Sequence, residues 1–82
     1  MPEFEIRSAD GYITLGQLLK LAGVVATGGE VKTFLLETSI RVNGEHDNRR
    51  GRKLRPGDVV AVEGHEAIRL RGGPVMEEAE GS

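Results

Sequence analysis

Two Thr-x-x-Gln/Glu boxes stand thirteen residues apart near the start of the chain, Thr14-Leu15-Gly16-Gln17 and Thr27-Gly28-Gly29-Glu30. In such a box the Thr oxygen accepts from a backbone N–H of the first helical turn, and the Gln or Glu side chain reaches back. Each box therefore fixes where a helix begins. Ile13 and Leu18 flank the first box where a hydrophobic staple would close over it, and Ala26 and Val31 flank the second. Leu15, Leu18, Leu19 and Ala22 follow the first box at i, i+3, i+4 and i+7, one helical stripe that Gly23 is placed to end. Val31, Phe34 and Leu35 form the apolar face of the second helix, which should stop near Glu37. Two capped helices with so short a connection make an αα-hairpin.

After Thr38-Ser39 the hydrophobic period changes from helical to alternating. Ile40 and Val42 share a face with Arg41 between them, and Asn43-Gly44 is a strong hairpin signal. A polar stretch from Glu45 to Arg55 leads to a Pro56-Gly57 turn, the apolar run Val59–Val62, a turn at Gly64-His65 and the alternating segment Ala67–Arg71. Phe4–Arg7 is a candidate edge strand, and Gly72-Gly73-Pro74 breaks the pattern. The expected fold class is α+β, a two-helix hairpin on a small, curved antiparallel sheet. The expected organisation is an N-terminal segment over 1–12, the domain proper over 13–71, and an acidic flexible tail over 72–82.

With 82 residues, 38% of them apolar, the chain has material for one modest core. It has no Cys, which removes disulfides, thiolate nucleophiles and Cys-based zinc sites together. No apolar run reaches the roughly 20 residues needed to cross a bilayer, and the first residues lack the pattern of a secretion signal. A cytoplasmic protein with no membrane contact is the expectation. The net charge is −2, yet from Arg41 to Arg55 six basic residues face two acids, Glu45 and Asp47, a local surplus of +4. A polyanion feels the field within about 8–10 Å at physiological salt, so the local surplus outweighs the overall sign.

Three fragments stand in a fixed order: Thr27-Gly28-Gly29-Glu30-Val31, Ile40-Arg41-Val42-Asn43-Gly44 and Pro56-Gly57-Asp58-Val59-Val60. Together with Leu18-Leu19-Lys20-Leu21 and Arg49-Arg50-Gly51-Arg52-Lys53 they resemble the S-four domain, an RNA-binding module named after the fourth protein of the small ribosomal subunit. The likeness runs over about residues 13–71 and is strongest to the short, free-standing bacterial members. It implies the fold known as the alpha-L motif and a non-enzymatic partner of structured RNA, ribosomal RNA or its precursors. Two positions depart from the family pattern. Gly28 stands where an Arg that faces RNA is common, and Thr38 where a Gly usually follows the second helix.

The basic run supplies the best candidate contacts, Arg49, Arg50, Arg52, Lys53 and Arg55, and the first four of these are expected at the surface. Arginine pairs bidentately with phosphate, which suits recognition of an RNA backbone. Lys20 and Lys32 on the helices and Arg41 on the polar side of its strand extend the set. Gly28 and Gly29 open the second helix, where backbone N–H groups and the helix dipole favour phosphate. With only Phe4, Tyr12 and Phe34 as aromatics, recognition by RNA shape and backbone is expected rather than base stacking. His46 and His65 lack neighbouring ligands, so no metal or other cofactor is expected, and no nucleophile–base constellation or phosphate loop points to an enzyme or to a small-molecule substrate. The module is expected to act as a monomer. Two rivals remain open. Asn43-Gly44-Glu45, Gly57-Asp58 and Gly72-Gly73 echo ubiquitin-like sulfur carriers, whose chemistry needs the second Gly at the chain terminus, whereas nine residues follow Gly73 here. A protein-interaction adaptor without nucleic acid is the other.

Overall fold

A computed structural model describes residues 1–73; of the tail expected over 72–82, residues 74–82 lie outside the described residues, while Gly72 belongs to the last strand of the sheet. In chain order the elements are β1 (Glu3–Ile6), β2 (Ile13–Thr14), α1 (Leu15–Leu21), α2 (Gly28–Glu37), β3 (Ile40–Val42), β4 (Glu45–His46), β5 (Lys53–Leu54), β6 (Val59–Val62) and β7 (Ile68–Gly72). Both capping boxes form. Thr14 Oγ1 accepts from the Gln17 N–H at 3.2 Å while Gln17 Oε1 accepts from the Thr14 N–H at 2.9 Å. Thr27 and Glu30 repeat the exchange at 3.3 and 3.2 Å, and Glu30 also takes the Ala26 N–H at 2.7 Å.

The helices bury the faces that their spacing predicts, with one exception. Leu15, Leu18 and Leu19 are sealed from solvent, and Val31 and Leu35 meet them from α2. Ala22 is exposed, because α1 ends at Leu21 and Ala22 serves as its C-cap. Phe34 is half-buried and sets its ring edge-on to His65, with ring centres 6.4 Å apart. Thr38 caps α2 in extended backbone, at φ −125°, so the residue that replaces the family's Gly carries no left-handed strain there.

The main sheet has the order β1-β7-β6-β3-β4. Four of its strands pair antiparallel, and β1 pairs parallel to β7, which makes the sheet mixed rather than wholly antiparallel. A parallel partner needs a long crossover, and here the whole intervening domain supplies it. The register sets Phe4 opposite Leu70, so both apolar side chains turn to the core while Glu3 and Glu5 stand opposite Arg69 and Arg71 on the other face. Period-two alternation puts Ile40, Val42, Val60, Val62, Ile68 and Leu70 on the inner face, each at most 9% exposed.

Two tight turns are locked together. Asn43 and Gly44 both adopt positive φ, 54° and 86°, and form the two-residue hairpin between β3 and β4, the geometry that Asn-Gly favours. The Asn43 amide donates to Asp58 Oδ1 at 3.0 Å and accepts from the Val59 N–H at 2.9 Å. Asp58 Oδ2 in turn accepts from the Arg55 N–H at 2.8 Å. The Asn-Gly and Gly-Asp fragments, joined by bonds that span fifteen and sixteen residues, are one hydrogen-bonded unit.

A second sheet is only two residues deep. Ile13 and Thr14 in β2 pair antiparallel with Leu54 and Lys53 in β5. Leu54 is completely buried, and this ladder fastens the basic stretch beside the start of α1.

Candidate nucleic-acid interface

The basic stretch is docked onto the first turn of α1. The Leu15 N–H donates to the Arg52 carbonyl at 2.8 Å, and the Gly16 N–H donates to the Arg50 carbonyl at 3.0 Å. These two donors belong to the helix N-terminus, which always leaves backbone N–H groups to be satisfied from outside. Gly16 is required by close approach: a Cβ there would lie 2.7 Å from Arg50 Cγ and 3.4 Å from the Arg50 carbonyl oxygen. The aliphatic stem of Arg50 therefore lies across a bare helix surface. Sequence reading assigned Gly16 to the capping box alone.

Asp47 is the other residue that sequence reading passed over. It is the one charged residue counted as buried among the described residues, 8% exposed, and its N–H donates to the Ile40 carbonyl at 2.9 Å. Its Oδ1 accepts from the Arg49 backbone N–H at 3.0 Å and from Arg49 Nε at 3.1 Å. Its Oδ2 accepts from Arg49 Nη2 at 2.9 Å and Arg52 Nη1 at 2.8 Å. The Arg49 guanidinium, foremost, and then the Arg49 N–H and Arg52 hold this carboxyl well below the usual carboxylate range, against burial, which pushes it up. The chain does contain a partner for its clustered cations, and Arg52 is accordingly only part-exposed, at 28% of its side chain. Arg49, Arg50, Lys53 and Arg55 are exposed.

The expected site residues do not gather in one place. Arg49, Arg52, Lys53 and Arg55 line one shallow groove together with Gly51 and Asp58. Lys53 Nζ and the Arg55 guanidinium both lie over the Tyr12 ring, 5.1 and 5.7 Å from its centre, so the aromatic props up cations. Burial would raise the Asp58 carboxyl, but the hydrogen bonds from Arg55 and Asn43 and the fields of Arg52 and Arg55 lower it on balance. A neighbouring groove of about 330 Å³ gathers Lys20, Gly28 and Arg50 with Gly16, Gln17 and Gly51. The first two places meet at Gly51, and together they make a basic margin that runs from the loop onto α1.

The remaining residues do not join it on equal terms. Lys32 is exposed one turn beyond Gly28 on α2, where i and i+4 side chains are neighbours. Gly29 opens the opposite groove, lined by Val24, Val25, Phe34 and Glu37. The Glu30 carboxylate already stands at the mouth of α2 through its bonds to Ala26 and Thr27, which weakens that helix end as a phosphate site. Arg41 lies on the outer face of the sheet. Its Nη1 reaches back to the Gly44 carbonyl at 3.4 Å, and it borders a groove with Ser39, Glu63 and His65.

His46 stands opposite Arg41 in the β3–β4 pair and His65 packs on Phe34. Among the described residues no group of three or more His, Cys, Asp or Glu could hold a metal ion, and no helix is long and apolar enough to cross a membrane. Gly72 and Gly73 are bound into the sheet, the first opposite Ile6 and the second donating its N–H to the Ile6 carbonyl at 3.0 Å. Two helices precede the Asn43-Gly44 turn. Neither feature supports the sulfur-carrier rival.

A helical hairpin on a mixed sheet, with a basic loop fastened to the first helix, defines an S4-type module. The S4 domain family matches residues 4–70, and the chain belongs to it. Over 52 residues the chain is 64% identical to a protein of Bacillus subtilis (strain 168) described as "Probable ribosome maturation protein RlbA"; the match covers 63% of this chain and 73% of that protein.

Proposed function

We propose that this protein binds structured RNA without catalysing a reaction, that its target is ribosomal RNA or a precursor of it, and that it serves ribosome maturation in the cytoplasm. The observation that carries this reading is the margin of Arg49, Arg50, Arg52, Lys53, Arg55 and Lys20, preset on a rigid frame. A margin of this kind recognises backbone phosphates and helix shape, since the aromatic beside it is occupied by cations. Membership of the S4 family and the name of the Bacillus relative point the same way. Arg41, Gly28, Gly29 and Lys32 are secondary contacts in this reading, the contact unit spans residues 13–71, and the protein acts as a monomer.

Salt titration tests the mechanism. With four or five cations on phosphates, log affinity for ribosomal RNA fragments falls against log salt with a slope of about −3 to −4.5. Arg50→Gln with Lys53→Gln removes two exposed charges that hold no carboxylate, takes the surplus over 41–55 from +4 to +2, and lowers affinity at least about tenfold, or about 1.4 kcal/mol. Melting curves of the variant should stay within about 1 kcal/mol of the parent. Affinity indifferent to salt, or unchanged in the folded double variant, would overturn the proposal.

A further inference from the structure

Loops rich in like charge repel themselves and spread, yet this one is ordered. It is held from below by the Leu15 and Gly16 N–H groups and from within by Asp47. The contacts of Asp47 are specific in direction. Arg49 presents Nε and Nη2 to it, two of the five donors a guanidinium carries, and Arg52 presents Nη1 alone. Among the described residues the remaining donors of both forks have no partner, and the two planes are fixed relative to each other by one buried carboxylate. That carboxylate is itself anchored, because its backbone N–H is tied to Ile40 in β3.

We propose that Asp47 is a positioning residue of the RNA-binding margin: an acid within a site for polyanions, whose role is to set Arg49 and Arg52 as a preformed pair of phosphate forks. This rests on the RNA reading above and adds to it a residue whose charge has the wrong sign for a contact. Freezing a side chain in its bound geometry before binding removes an ordering penalty that would otherwise be met on association. A bare charge count makes the opposite forecast, since removing Asp47 raises the surplus over 41–55 from +4 to +5 and should tighten RNA binding.

That opposition makes the test decisive. Affinity is measured for a pool of structured fragments of bacterial ribosomal RNA, with the parent, Asp47→Asn, Arg49→Gln/Arg52→Gln, and the triple variant, at one salt concentration and with melts alongside. Positioning predicts that Asp47→Asn weakens binding about five- to tenfold in the parent, and by less than about twofold where both arginines are already gone. A purely structural role for Asp47 would lose as much in both backgrounds. Should Asp47→Asn fail to fold, Asp47→Glu, which keeps the charge and displaces the carboxylate by one carbon, is compared across the same two backgrounds. Binding by Asp47→Asn as tight as the parent's or tighter, or a loss undiminished without Arg49 and Arg52, would overturn the proposal while leaving the RNA reading intact. A parent that binds none of the fragments refutes the RNA reading first, and the positioning role with it.

Discussion

Arginine meets carboxylate in two regions of this molecule, with different results. Along the β1–β7 edge, Glu3 and Glu5 stand opposite Arg69 and Arg71 in register. Arg71 lies 3.7 Å from Glu3 and 3.6 Å from Glu5, and Arg7 reaches Glu5 at 3.2 Å. Two acids thus oppose two bases across the strands, and the surface they make is close to neutral. In the 47–55 stretch five basic residues stand against the single Asp47, which pairs with Arg49 and Arg52 alone, and the surplus is +4. Strand pairing distributes charge by alternation, whereas a loop docked by its backbone can concentrate it. The same residue types therefore make scaffold in one place and a field in the other.

The severest way to break the contrast is to remove the frame that both regions hang on. Leu19 is fully buried in the core, and Leu19→Ala should lower unfolding free energy by about 2–5 kcal/mol, read by chemical denaturation. RNA affinity should then fall only as the folded fraction falls, because no contact is touched. Asn43→Ala cuts closer. It unties Asp58 and Val59 and leaves a non-Gly residue at φ 54°, so a loss of about 1–3 kcal/mol is expected in thermal melts. The smallest effect sharpens the contrast most. Arg69→Gln with Arg71→Gln removes as much charge as Arg50→Gln with Lys53→Gln, but from the neutral edge. Stability should shift by less than about 1 kcal/mol and RNA affinity by less than about threefold, measured in the same titration. Equal losses from the two double variants would mean that total charge, and not its placement, governs binding.

Much of this frame is legible in the chain. The capping boxes, the Asn-Gly turn and the switch of period at Thr38-Ser39 are local signals, each readable within a few residues. What escaped reading is non-local. The β2 and β5 strands are two residues long, too short for any period to show, and exist only because Leu54 finds a place beside Ile13. Parallel pairing of β1 depends on a partner more than sixty residues away. Asp47 reads in sequence as one unit subtracted from a charge sum; only burial and the folding back of Arg49 and Arg52 reveal it as their anchor. Of the candidate site, the basic residues can be listed from the chain, but their division between the loop margin and the outer sheet face cannot.

The pairing of β1 with β7 also sets an order of events during synthesis. Glu3–Ile6 leaves the ribosome long before Ile68–Gly72 exists. At about 5–20 residues per second the first strand waits several seconds for the last. During that interval Phe4 and Ile6 have no sheet to join, while the helical hairpin, built from contacts close in sequence, can already form. β1 is made before every other element of this fold and is thus among the last to find its place, and a chain released short of β7 would expose an apolar edge ready to pair with another copy.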